Sequence, residues 1–106
     1  MSPATRGHLH HVELWVPDID RATGSWGWLL RKLGYQLFQE WPGGISWLLP
    51  PTYVVIEQSP AMLHVGHERT RPGLNHLAFH AGDRRDVDAL TDEAPTRGWT
   101  LMFPDT

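Results

Sequence analysis

Two histidines and one glutamate occupy positions from which a metal ion could be held. The stretches His11-Val-Glu-Leu-Trp-Val-Pro-Asp18 and His76-Leu-Ala-Phe-His-Ala-Gly-Asp83 share a layout, with a histidine opening an apolar strand and an aspartate seven residues later. Glu57 ends the apolar run Val-Val-Ile-Glu, where an unpartnered carboxylate is costly to bury. Two neutral imidazoles and a carboxylate leave coordination positions open for water or substrate, as a catalytic metal centre requires.

The chain repeats this layout at a fixed offset. The two histidines lie 65 residues apart, and the helical stretches that follow end in Gly34-Tyr35 and Gly98-Trp99, with their glycines 64 residues apart. Internal repetition at such a period predicts two similar structural units. A pseudo-twofold axis between the units would bring His11 and His76 together.

The first unit is predicted to run strand, helix, strand, strand, strand. Alternation over residues 9–16 places Val12, Leu14 and Val16 on one face and His11, Glu13 and Trp15 on the other. Asp18 is a good N-cap and Gly34 a good C-cap for the helix. The later strands are predicted at 35–40, 45–49 and 53–58, with Tyr53, Val55 and Glu57 sharing a face.

The second unit repeats only part of that order. The sequence predicts a strand at 74–81 and then a helix capped by Asp83, with Val87, Leu90 and Ala94 facing inward. Pro95 should kink this helix or end it early, and a strand is predicted at 99–103. Symmetry then leaves two strands without counterparts, so we expect either part of a longer chain or an assembly that replaces them. The predicted organisation is one domain over 1–106, with module one at 8–58, a linker at 59–72 and an incomplete module two at 73–106.

Composition narrows the class of protein. Of the 106 residues, 41% are hydrophobic and 20% are charged, the net charge is −3, and cysteine is absent. The charge argues against nucleic acid and anionic membranes as partners, and the missing cysteines exclude disulfides and thiolate ligands. No apolar segment has the length of a signal or transmembrane helix, so the sequence predicts a cytoplasmic protein.

The ordered set of motifs resembles the vicinal oxygen chelate superfamily of glyoxalase I, extradiol dioxygenases and bleomycin resistance proteins. The resemblance rests on the strand from His11 to Asp18, the helix ending in Leu33-Gly34, Tyr53-Val-Val-Ile-Glu57 and Leu74-Asn-His76-Leu-Ala-Phe. It implies an α+β fold in which two βαβββ modules form a cupped mixed sheet with helices outside, the second module being truncated here. It implies His11, Glu57 and His76 as metal ligands; the family's fourth ligand lies on a strand beyond this sequence.

The first functional hypothesis is a metal-dependent enzyme. The resemblance implies a divalent ion (nickel, zinc, iron or manganese) that chelates neighbouring oxygens of a small substrate, with isomerase or lyase chemistry, or dioxygenation if the metal is iron. Glu13 is the candidate general base, with a salt-bridged rim carboxylate as the alternative. Trp15, Trp47, Tyr53 and His80 are the candidate substrate contacts.

Two other hypotheses remain open at this point. The chain could be a non-catalytic binder of a small molecule or antibiotic, as bleomycin resistance proteins are, because its six tryptophans suit an aromatic cavity. It could also be an inert fragment with an incomplete site. The resemblance further predicts a homodimer. The remaining histidines near the N-terminus and in the linker are predicted to face solvent, where such a cluster could take up metal adventitiously.

Overall fold

The computed structural model describes residues 6–102. In chain order the elements are β1 (His11–Trp15), α1 (Ile19–Lys32), β2 (Gln36–Trp41), β3 (Gly44–Leu49), β4 (Thr52–Glu57) and α2 (Arg84–Glu93), followed by a 3₁₀-helix at Ala94–Arg97. The five elements predicted for the first unit are therefore present, with boundaries within two residues of those expected. Over residues 6–102, neither helix combines the length and apolar character needed to cross a bilayer.

The strands form one mixed sheet in the order β1-β4-β3-β2. β2, β3 and β4 are antiparallel neighbours joined by two-residue turns, whereas β1 lies parallel to β4. A parallel neighbour needs a crossover connection, and α1 supplies part of it by packing across one face of the sheet. In this register His11 lies beside Tyr53 and Trp15 beside Glu57.

The hydrophobic core lies between α1 and the sheet. Side chains alternate between the two faces of a strand, so Val54 and Ile56 of β4 face α1 while Tyr53, Val55 and Glu57 face away from it. Leu30 and Ile56 are fully buried. The buried core cluster comprises Ala22, Leu30, Tyr35, Ile45, Trp47, Val54 and Ile56.

Helix α1 is capped at both ends as its sequence predicts. The Asp18 side chain accepts a hydrogen bond from the backbone N–H of Arg21, 3.2 Å away, and Gly34 adopts φ 98° just beyond the last turn. The N–H groups of Gly34 and Tyr35 bond the carbonyls of Arg31 and Leu30, which is the Schellman arrangement. The chain therefore turns sharply out of the helix and into β2.

The two glycines within α1 differ in their surroundings, which gives a matched test of packing. A Cβ on Gly27 would lie 2.9 Å from Cζ2 of Trp47, which is buried, whereas one on Gly24 would meet nothing within 4 Å. We expect Gly27→Ala to lower the free energy of unfolding by about 1–3 kcal/mol through overpacking. Gly24→Ala should raise it by about 0.5–1 kcal/mol because alanine favours helix. Urea unfolding of both variants measures this; shifts of the same sign would contradict it.

The second unit differs from prediction in its strands. Residues 74–81 form no strand, and neither do residues 99–102, while Phe103 lies outside the described residues. A strand exists only where a neighbour supplies its hydrogen bonds, and neither segment pairs with the sheet. Apolar alternation at 74–81 thus predicted a strand that has no partner here. Its Phe79 packs instead edge-on against Tyr35 beside the core.

The helical part of the second unit follows prediction more closely. Asp83 and Asp86 form a reciprocal capping box, and α2 ends at Glu93, two residues before Pro95. Of the residues expected to face inward, Leu90 and Ala94 are half-buried but Val87 is exposed, because α2 packs only along one side.

Glu93 joins the two helices. It accepts a hydrogen bond from the Trp28 indole at 2.9 Å and forms ion pairs with Arg97 and Lys32. Desolvation alone would raise the pKa of Glu93, but the hydrogen bonds from Trp28 and Arg97 and the nearby positive charges outweigh it and lower the pKa below its ordinary value. Glu93 is therefore held as a carboxylate that ties α2 to α1.

Candidate functional site

The face of the sheet opposite α1 carries most of the predicted site residues, and we call it the open face. Val55 and Ser46 form its floor and are 7% and 1% exposed. The walls above this floor combine aromatic rings with two carboxylates. By strand register and side-chain contact they are His11, Glu13, Trp15, Phe38, Trp41, Tyr53 and Glu57.

One end of the open face is an aromatic cluster around Tyr53. The His11 ring lies parallel to the Tyr53 ring, with 4.7 Å between centroids and 4° between planes. The Phe38 ring contacts Tyr53 from the neighbouring side at 5.5 Å. His11 and Tyr53 are register partners on adjacent strands, so the sheet itself holds the two rings together.

The other end holds two pairs of indole and carboxylate. Trp15 donates its Nε1–H to Glu13 Oε2 at 2.7 Å, and Trp41 donates to Glu57 Oε1 at 3.0 Å. Trp41 lies directly over Gly44, where a Cβ would collide with the indole ring. Each carboxylate is thereby oriented by a tryptophan.

A cavity adjoins the second end of the open face. It has a volume of about 960 Å³ and is lined by Trp15, Pro17 and the loop that follows β4, including Met62, Leu63 and Val65. Leu63 and Val65 are 76% and 69% exposed. Trp15 therefore belongs both to the open face and to a largely apolar recess of the size that small-molecule sites have.

The remaining predicted contacts lie elsewhere. Trp47 is on the α1 side of the sheet, 4% exposed, with the Arg31 guanidinium 5.1 Å from its ring centre, so it belongs to the core and not to the open face. Among residues 6–102 its indole N–H finds no hydrogen-bond partner. His76 and His80 are exposed on the segment without regular structure, and His76 Nδ1 lies 2.8 Å from Asn75 Oδ1.

The arrangement of His11, Glu57 and His76 does not fit one metal ion. His11 lies beside Tyr53 with its ring stacked on the Tyr53 ring, whereas the backbone of Glu57 is four residues further along β4, about 13 Å away at the usual strand rise. The Glu57 carboxylate accepts a hydrogen bond from Trp41. The two ligand atoms that bind one ion lie no more than about 4 Å apart, because each atom is about 2 Å from the ion. Within residues 6–102 no three histidine, aspartate or glutamate side chains are grouped to hold a metal.

Two residues of the open face were not predicted. Phe38 and Trp41 both belong to β2, where a register shift between Leu37 and Gln39 adds one residue to the strand. The two-residue turn pairs Trp41 with Gly44 and places it on the open face. The shift then pairs Leu37 with Trp47 on the α1 side, where simple alternation from Trp41 would have turned Leu37 toward the open face. The turn Pro42-Gly43-Gly44 was a sequence signal for the pairing of Trp41 with Gly44.

Comparison with known proteins places this geometry in a family. The model of the glyoxalase/bleomycin resistance protein/dioxygenase superfamily matches residues 10–106. The chain belongs to this superfamily. The predicted resemblance is therefore confirmed, and the α+β class with a cupped sheet and outer helices is the fold of this superfamily.

Individual relatives support the same assignment. The chain is 41% identical over 98 residues to the uncharacterized protein YqjT of Bacillus subtilis (strain 168), covering 92% of this chain and 77% of the relative. It is similar to the crystal structure of a proposed glyoxalase from Bacillus halodurans, with 39% identity, a TM-score of 0.91, and coverage of 98% and 79% of the two chains.

A more distant structure shares the fold alone. It is a glyoxalase/bleomycin resistance protein/dioxygenase from Alicyclobacillus acidocaldarius, with 22% identity, a TM-score of 0.52, and coverage of 87% of this chain and 64% of the other.

Proposed function

We propose that this chain binds a small planar organic molecule on its open face by aromatic contact, without requiring a metal ion. The observation that carries the proposal is that the carboxylates of the open face accept hydrogen bonds from tryptophans. Glu13 and Glu57 are each bonded to a tryptophan of the open face and do not converge with His11 on a common point. The face is thus lined by oriented rings, which suit stacking and edge contacts with a flat ligand.

The charged residues of the strands favour a neutral or cationic ligand over an anionic one. The strands place Glu13 and Glu57 on the open face and contain no lysine or arginine. An anionic ligand would therefore meet carboxylates without a compensating cation, whereas a neutral or cationic aromatic ligand would meet ring faces and negative charge. The recess beside Trp15 could take an apolar substituent of the same ligand.

Fluorescence titration tests the proposal. Protein stripped of metal with a chelator is titrated with naphthalene derivatives that differ only in an ammonium, hydroxyl or carboxylate group. We expect saturable quenching of tryptophan fluorescence by the first two and weaker quenching by the carboxylate. Trp15→Ala should weaken binding about 2- to 10-fold, the value of one aromatic contact.

A tryptophan away from the open face supplies the control. The Trp99 indole bonds the backbone carbonyl of Ser25 at 3.0 Å and packs on Trp26. Trp99→Phe should therefore leave ligand affinity unchanged. Equal affinity in Trp15→Ala and wild type, or binding that appears only when metal is restored, would contradict the proposal.

The metal-dependent enzyme is a second hypothesis, favoured by the placement of His11 and Glu57 on the same face of adjacent strands. It requires an arrangement that brings these two residues and His76 to one ion. Metal content of untagged protein, compared with the Glu57→Gln/His76→Ala double variant, tests it. One ion per chain that is lost in the double variant would favour isomerase, lyase or dioxygenase chemistry over simple binding.

A further inference from the structure

Two consecutive histidines direct their rings to the same point. Successive residues of a strand normally point to opposite faces. β1 begins at His11, however, so His10 precedes the regular strand, and its ring turns toward that of its neighbour. The two Nδ1 atoms lie 2.8 Å apart. Both rings also contact Tyr53, that of His10 edge-on at 5.3 Å and that of His11 in parallel at 4.7 Å.

The separation of the two Nδ1 atoms is short enough for them to share a proton or to bind one metal ion. Facing Nδ1 atoms at hydrogen-bond distance can share one proton, and a metal cation can take the place of that proton when both imidazoles are neutral. Imidazole nitrogens bind about 2.0–2.1 Å from a divalent ion, which separates two of them by about 2.9 Å at a right angle and about 3.3 Å at a tetrahedral angle. The observed 2.8 Å therefore matches right-angled coordination.

We propose that His10 and His11 form a two-imidazole site for a divalent ion that prefers nitrogen ligands and right-angled geometry, namely copper(II) or nickel(II). Square or tetragonal coordination by nitrogen is typical of these two ions, and copper(II) binds nitrogen sites most tightly among the divalent first-row metals. The site shares His11 with the His11, Glu57 and His76 set but requires neither Glu57 nor His76, and it does not depend on the proposed ligand binding.

The surroundings of the pair suit a bound cation. His10 and His11 are both exposed, so an ion has access and can complete its coordination with water. The parallel Tyr53 ring fixes the plane of the His11 imidazole. Glu13 is the next side chain of β1 on the same face and adds negative charge, while the four strands contribute no lysine or arginine to repel the ion.

Copper titration with spectroscopic detection tests the site. Untagged, chelator-treated protein is titrated with copper(II) by calorimetry, and the one-equivalent sample is examined by electron paramagnetic resonance. We expect one ion per chain and hyperfine splitting from two nitrogens. His10→Ala and His11→Ala should each weaken binding roughly tenfold or more and remove one nitrogen from the spectrum, since even outer partners of a metal site matter at that level.

Two matched variants separate this site from other histidines. The Glu57→Gln/His76→Ala double variant and His80→Ala should both bind copper as wild type does, and circular dichroism should show that every variant is folded. Wild-type affinity in folded His10→Ala would overturn the proposal. So would loss of the ion in either control variant, or a spectrum without two equivalent nitrogens.

Discussion

Leu30→Ala is expected to lower the free energy of unfolding by about 2–5 kcal/mol, the range for leucine truncation in a packed core. Leu30 is fully buried and belongs to the cluster between α1 and the sheet. Truncation removes its contacts with that cluster and leaves a cavity. Because the surrounding core is closely packed, it can relax into that cavity only in part. Urea unfolding followed by circular dichroism measures the loss.

Leu37 provides the same substitution at an exposed position. It lies on β2 with 53% of its surface exposed. Leu37→Ala should cost less than about 1 kcal/mol, in keeping with surface substitutions elsewhere. Comparable losses in the two variants would show that Leu30 does not belong to the hydrophobic core.

Gly44→Ala is expected to displace Trp41 and disturb the second end of the open face. The backbone of Gly44 is not in the left-handed region, so alanine is tolerated conformationally and the effect comes from its Cβ, which would collide with the Trp41 ring. The indole must leave, which breaks its hydrogen bond to Glu57. We expect a loss of about 1–3 kcal/mol in stability from the forced shift, together with weaker ligand quenching.

Trp41→Phe separates the two consequences of that displacement. Phenylalanine keeps a ring over Gly44 but cannot donate to Glu57. Stability should fall by about 0.5–1.5 kcal/mol, the net value of one hydrogen bond, and ligand quenching should change less than in Gly44→Ala. A Gly44→Ala protein with wild-type stability and binding would show that Trp41 does not lie on the glycine.

Much of the first unit could be predicted from sequence because its signals are local. Asp18 and Gly34 bracket the helix, and alternation in 9–16 and 53–58 separates the core side chains from those of the open face. Hydrogen bonds at the caps and the two-residue period of strands act over a few residues, so they can be read without knowledge of the tertiary structure.

Trp47 shows where such interpretation failed although a signal existed. The two-residue turn at Pro50-Pro51 pairs Leu49 with Thr52, which places Trp47 opposite Val54. Tyr53, Val55 and Glu57 were expected to share one face, which leaves Val54 on the opposite, core face, so the hairpin register would have placed Trp47 there too. Trp41 is a similar case, because the two-residue turn at Pro42-Gly43 pairs it with Gly44, which lies opposite Glu57. The register shift between Leu37 and Gln39 has no clear sign in the sequence.

The second unit and the metal site depended on long-range pairing. Residues 74–81 have a strand pattern, but a pattern supplies no partner for their hydrogen bonds. The expected ligand set rested on the matched positions of His11 and His76 and on the family resemblance, whereas the strand register pairs His11 with Tyr53 and Glu57 with Trp15. The register between two strands joined through a helix is not encoded by either strand alone.

The catalytic role of Glu13 stays a prediction.

The parallel pairing of β1 with β4 also bears on the order in which the protein folds. β2, β3 and β4 are joined by two-residue turns and can pair through local contacts, whereas His11 meets Tyr53 across 42 residues of chain. Closing that longer loop has the larger entropic cost, so β1 is expected to add to a preformed three-stranded meander. His11, Glu13 and Trp15 arrive with it. Ligand binding on the open face would therefore report on the completion of folding, and a ligand would stabilise the chain by selecting molecules in which this first strand has docked.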